Sequence, residues 1–218
     1  MLRGVDNNKD QTYFLCQLNQ NQLNNSLFPI GELTKPEVRQ IAEELDLPVA
    51  HKKDSTGICF IGERDFREFL KNYIPAKSGK MVDIVSKKVI GEHQGIMYYT
   101  IGQRKGLGIG GNGEPWFVVG KDYDKNILYI AQGDSNKWLL SHGALITDVN
   151  WISATKPEGE YDCTAKFRYR QKDNDVSLHF IDETTLYVTF KKPIKAVTPG
   201  QAAAVSYTHL RPTRLRRI

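Results

Sequence analysis

Apolar and polar positions recur along this chain with two different periods, and the change of period divides it. Up to about residue 62 the recurrence is helical. In "LTKPEVRQIAEELDLP", Val38, Ile41, Ala42 and Leu45 return on one face, Thr34 stands as N-cap, Pro36 falls in the first turn and Glu37 follows the cap by three residues. Pro48 lies just past the end of the pattern, which predicts one strong helix. Phe66, Phe69, Leu70 and Tyr73 keep the same spacing and predict a second helix over residues 64 to 73.

After Pro75 the period shortens to two. "GKMVDI" and "KVIGEHQG" predict short strands, and "WFVVGKDYDKNILYIAQG" predicts a hairpin turning at residues 123 to 126, with a glycine-rich loop between them. From Gly143 onward "ALITDVNWI", "YDCTAKFRYRQ", "DVSLHFID" and "TLYVTFKKPIKAV" follow one another and lead into a "TPGQ" turn. Strands at that spacing predict a small antiparallel barrel or sandwich. No internal repeat or low-complexity segment interrupts the series.

Composition narrows the class. With 40% hydrophobic and 25% charged residues the 218-residue chain has the make-up of a globular protein with one large or two to three small domains. No apolar run approaches the ~18 residues of a membrane span, and the N-terminal "MLRGVDNNKDQ" lacks the apolar core of a signal peptide. The expectation is therefore a cytoplasmic protein with no membrane partner. Three cysteines, 16, 59 and 163, contain no CxxC pair and predict no disulfide framework. The five histidines share no ligand spacing with them, and no metal is expected.

The net charge of +5 changes the picture less than it suggests. Residues 206 to 218, "SYTHLRPTRLRRI", carry four arginines and no acid, so the rest of the chain holds only +1. This stretch has neither period and follows a well-patterned strand abruptly. It reads as extraneous sequence rather than as a basic arm for RNA phosphates.

Three segments offer chemistry. In "KKDSTGICFIGERDF", Cys59 follows two lysines and a turn-forming Asp54–Thr56, with a predicted helix start after it; positive charge and a helix N-terminus both lower a thiol pKa. The same residues also describe a cysteine buried in a short apolar strand, and the pattern alone leaves both readings open. In "AKFRYRQK", Lys166, Arg168, Arg170 and Lys172 alternate with Phe167, Tyr169 and Gln171, so a strand would set four cations on one face at ~6.6–6.8 Å intervals, close to the phosphate step of an RNA strand. A solvated barrel face would look the same. "GQRKGLGIGGNG" holds six glycines but neither the GxGxxG frame nor the GK[ST] of a P-loop; it predicts a mobile basic loop rather than a nucleotide site.

"LFPIGELTKPEVRQIAEELDLPVAHKKDSTGICFIGERDFREFL" and "MYYTIGQRKGLGIGG" closely resemble the tRNA-specific 2-thiouridylases, over residues 5 to 205. The resemblance implies an enzyme that uses ATP and a cysteine persulfide to place sulfur on C2 of the wobble uridine, position 34, of tRNA. It implies that Cys59, in "STGICFIG", carries the persulfide, loaded by a sulfur-donor protein. Lys9, Asp10 and Gln11 ("KDQ"), Arg168 with Tyr169, and Gln201 of "TPGQ" fall where the family contacts tRNA.

The resemblance also implies the fold class: residues 1 to 62 as an α/β remnant, the helical C-terminal part of a PP-loop (adenine nucleotide α-hydrolase-like) domain; residues 63 to 136 as a small α+β central domain; and residues 137 to 205 as an antiparallel β-barrel. The family's SGGxDS loop and second catalytic cysteine would precede residue 1, so the chain reads as a C-terminal fragment, inactive alone. ATP would then be a co-substrate bound outside this chain. Neither Cys16 nor Cys163 matches the missing nucleophile; both are expected to pack. The reading from another class is a non-catalytic tRNA-binding module with a vestigial Cys59, and an upstream frame encoding SGGxDS would decide between them.

Overall fold

A computed structural model describes residues 3–54, 66–152 and 156–205. The chain is mostly β with a few short helices, and it divides into two compact units: Met1–Lys52 with Ser141–Ile218, and Lys53–Leu140. Three α-helices occur among the described residues: α1 (Gln20–Asn24), α2 (Lys35–Glu44) and α3 (Phe66–Lys71).

Helix α2 starts where the sequence predicts, because its start is decided locally. The Glu37 carboxylate accepts from the Thr34 backbone N–H at 2.6 Å, closing a capping box, with proline in the first turn. The hydrogen bonds from Thr34 hold the Glu37 carboxyl below its ordinary range. Its apolar face is less covered than the pattern suggests: Ile41 and Leu45 are exposed. Of the second predicted helix, α3 covers the middle; Tyr73 lies beyond it, exposed, with its ring 5.1 Å from that of Phe69.

The unit Lys53–Leu140 is built on four strands, β1 (Gly79–Asp83), β2 (Val89–His93), β3 (Trp116–Asp122) and β4 (Ile127–Gln132), in the order β2-β1-β4-β3. The predicted hairpin is β3–β4, antiparallel, with Asp122 opposite Ile127. Its turn holds because the Asp122 carboxylate accepts the Lys125 N–H at 2.9 Å and Asn126 takes a left-handed backbone. Strand β1 joins β4 in parallel, so a long connection crosses between them. Met81, Val118, Leu128 and Ile130 are fully buried on the inner face.

The unit containing the chain's two outer segments carries five strands, β5 (Leu140–Ile146), β6 (Tyr161–Lys166), β7 (Asn174–Phe180), β8 (Leu186–Lys195) and β9 (Ala204–Val205), ordered β5-β8-β7-β6-β9. Strict alternation explains β8: Leu186, Val188 and Phe190 face in while Tyr187, Thr189 and Lys191 face out. Phe167, Leu178 and Val205 complete a core in which Phe167 and Phe190 stand 4.8 Å apart, ring to ring.

One expectation fails here. Residues 166 to 172 do not form one strand: β6 ends at Lys166, and 168 to 170 turn, with Arg170 in the left-handed region at φ 63°. The Gln171 side chain takes the Phe167 N–H at 2.8 Å, replacing the ladder bond that an extended strand would make. The four cations therefore do not share a strand face.

Candidate nucleic-acid interface

The segment "KDQ" leaves a tight turn at residues 7–9 and leads into a short 3-10 helix whose N-cap is Gln11. Asp6 organises the turn: its Oδ1 accepts the N–H groups of Asn8 at 2.9 Å and Lys9 at 3.2 Å, and its Oδ2 accepts that of Lys35 at 2.9 Å. The bond from Lys35 leads the effects that hold the Asp6 carboxyl below its ordinary range. Asp10 also works locally, accepting from the Gly4 N–H at 3.2 Å, the Thr12 N–H at 3.3 Å and the Thr12 hydroxyl at 2.8 Å. Gln11 is exposed and precedes a 3-10 turn, Thr12–Leu15.

That turn places two adjacent aromatics oppositely: Tyr13 is 8% exposed and Phe14 58%. The Tyr13 hydroxyl donates to the Ala202 carbonyl at 2.7 Å, fastening the residue next to Gln201. Its ring lies 6.5 Å from that of Tyr169, and the Phe14 ring lies 4.7 Å from it. Gln201 ends a turn in which its N–H donates to the Thr198 carbonyl at 3.2 Å, with Gly200 at φ 83°. Arg3 grips Asp173 with both guanidinium nitrogens, at 2.5 and 2.7 Å.

The structure thus brings the 9–11 turn, the Arg168–Tyr169 turn and the Gln201 turn, far apart in sequence, around one buried tyrosine. Burial pushes the Tyr13 phenol up to about 12, against opposing pulls from the Ala202 bond and the Arg168 charge. Because the folded value lies above the ordinary 10, this group's contribution to stability is complete below pH 10 and is lost as pH rises toward 12. Alkaline denaturation of Tyr13→Phe, compared with the parent, is expected to lack that loss; identical profiles would refute it.

Cys59 lies outside the described residues. The other two cysteines pack, as expected: Cys16 is buried, and Cys163 is half-buried against the core with its thiol pushed up to about 12 by burial. At neutral pH Cys163 is a thiol, the unreactive form. Sequence reasoning missed Phe14. The consecutive aromatics of "TYFL" were the available signal, but a single 3-10 turn has no period to tell which ring is buried.

The glycine-rich loop lines an open depression of about 470 Å³ with Arg104, Leu107, Ile109, Glu114 and Trp116. Its amide at Gly102 is spent on the Val118 carbonyl at 2.7 Å, and the depression's lining holds one cation, Arg104, and one carboxylate, Glu114. Those residues do not fit a triphosphate, which needs converging free amides and excess positive charge. Among the described residues no three His, Cys, Asp or Glu side chains cluster as a metal site, and no helix is long and apolar enough to cross a membrane.

Three family models lie end to end along the chain: the tRNA methyl transferase HUP domain over residues 1–63, the tRNA methyl transferase PRC-barrel domain over 67–132, and the aminomethyltransferase beta-barrel domain over 141–209. The tRNA-specific 2-thiouridylase MnmA of Bacillus cytotoxicus is 59% identical over 93% of this chain and 54% of its own length. Those of Bacillus cereus and Bacillus anthracis are 58% identical over the same shares. The chain spans about half the length of these relatives. Identity at that level, sustained across all three matched segments, means that the chain belongs to the tRNA-specific 2-thiouridylase family.

Proposed function

We propose that this chain is the tRNA-docking and sulfur-carrying part of a cytoplasmic tRNA 2-thiouridylase acting on C2 of the wobble uridine. The observation that carries the docking half is the convergence on Tyr13 of the segments holding Lys9, Asp10 and Gln11, Arg168 with Tyr169, and Gln201. Arg168 and Lys9 supply charge for phosphates, Gln11 and Gln201 supply donors and acceptors, and Asp10 shapes the turn that presents them.

The sulfur half rests on Cys59 and on family membership. A donor persulfide, R–S–SH, passes its outer sulfur to the Cys59 thiolate, leaving Cys59–S–SH and the donor thiolate R–S⁻. With O2 of the uridine first adenylated at the expense of ATP, the outer sulfur of the Cys59 persulfide attacks C2 and expels AMP. A second thiol, from outside this chain, then attacks the Cys59 sulfur, leaving the transferred sulfur on C2 and a disulfide at Cys59. A persulfide suits the first step because it is a better nucleophile than a thiol. The donor is a separate persulfide-carrying protein. We assign ATP to the part of the relatives' length that this chain does not span; the poor fit of the glycine-rich loop to a triphosphate supports that reading. In the same reading residues 1–62 are the end of a PP-loop domain, 63–136 a central domain, 137–205 a β-barrel and 206–218 an extraneous tail.

Binding of tRNA across a salt series tests the docking half. Arg168→Ala is expected to lower the slope of log affinity against log salt by about 0.7–0.9, the share of one phosphate contact. Deleting residues 206–218 is expected to cost less. A tail deletion that weakens binding more than Arg168→Ala would move the interface to the tail.

A further inference from the structure

We infer that Phe14, Tyr169 and Arg170 form a stacking site for one unpaired nucleobase of RNA. The inference rests on the RNA-docking reading and goes beyond it by naming a residue, Phe14, and a ligand class, a base with no pairing partner.

Phe14 is a large apolar ring left 58% exposed, yet it is not loose. Tyr13 meets it edge-on at 5.4 Å and 83°, and Tyr169 packs at 4.7 Å and 45°. Held on two sides, the ring offers its remaining surface without an ordering cost on binding. Arg170 sits with its guanidinium 5.3 Å from the centre of the Tyr169 ring, exposed and projected by its left-handed backbone. A planar cation beside aromatic faces is the combination on which bases of single-stranded RNA stack without sequence preference.

The charge around the rings suits RNA as well. The Arg168–Lys172 turn carries three cations, and the acid that follows it, Asp173, is engaged by Arg3. An apolar peptide segment would have no use for that excess positive charge. A base in continuous duplex could not reach the site, because both its faces are already stacked; only a base in a loop or at a bulge presents a free face.

The test compares two RNAs bound to the full 218-residue chain: a hairpin whose loop carries one 2-aminopurine, and the same stem closed as a blunt duplex. Phe14→Ala is expected to weaken hairpin binding about tenfold, the cost of losing one stacked base. It should leave duplex affinity and the salt slope unchanged, and it should abolish the quenching of 2-aminopurine fluorescence. Phe14→Trp is expected to restore both affinity and quenching. Equal effects of Phe14→Ala on hairpin and duplex, no effect on either, or failure of Trp to restore would overturn the stacking site while leaving the docking reading intact. If the parent chain binds neither RNA, both fall together.

Discussion

Cys59→Ser abolishes sulfur labelling of the chain by a persulfide donor, whereas Cys16→Ser and Cys163→Ser leave it unchanged. The asymmetry follows from thiol chemistry: only a thiolate attacks a persulfide sulfur, and only an accessible one meets a donor protein. Cys16 is 4% exposed and Cys163 keeps its proton to about 12, so neither competes at neutral pH. Cys59 sits between Lys52–Lys53 and a further basic residue, Arg64, in a segment otherwise rich in turn formers. Mass spectrometry after incubation with the donor reads the result directly as one added sulfur, removable by reductant. Equal labelling of all three cysteines would remove Cys59 from the mechanism and favour a module that only binds tRNA.

The largest effect on stability is expected at Phe167. Its side chain is wholly buried, in ring contact with Phe190 at 4.8 Å, at the point where β6 gives way to the Arg168 turn. Phe167→Ala removes a buried ring and leaves a cavity, a change that costs about 3–5 kcal/mol in comparable cores. Amide exchange in β6, β7 and β8 should accelerate accordingly, while exchange in β1 to β4 stays at the parent level, since those strands have a core of their own. Binding of tRNA should fall as well, because the turn that presents Arg168 and Tyr169 starts from Phe167. A loss under about 1 kcal/mol would mean that this core is not closed around Phe167.

What the sequence told reliably was whatever short-range chemistry decides. The capping box of α2 and the hairpin turn before Asn126 each depend on a side chain bonding to backbone three residues away, and both stand where the pattern put them. The end of β6 was not legible, because "FRYRQ" goes on alternating after the strand has stopped. What stops it is the Gln171 side chain capping Phe167 and the left-handed backbone of Arg170, neither of which alternation records. The apolar stripe of α2 was read correctly as a stripe, but a stripe does not say what covers it; Ile41 and Leu45 remain exposed. For the interface, the residues implied by family resemblance were "KDQ", Arg168, Tyr169 and Gln201. The feature that joins their segments, Tyr13 bonded to Ala202 across nearly the whole chain, depends on a long-range contact with no local signature.

The split of one unit between the two ends of the chain governs the order in which a ribosome can complete it. Tyr13 emerges ahead of Lys53–Leu140, but its acceptor at Ala202 and its neighbour at Tyr169 follow only after that unit has been translated. At about 5–20 residues per second, the roughly ninety residues of that unit alone impose a wait of some 5–20 s. During that interval Tyr13 is without its acceptor at Ala202 and the rings at 13 and 14 are without Tyr169, while the intervening unit can already close on its own core. Translation therefore completes Lys53–Leu140 before the segment around Tyr13 can close, and that segment is the one a chaperone would find open.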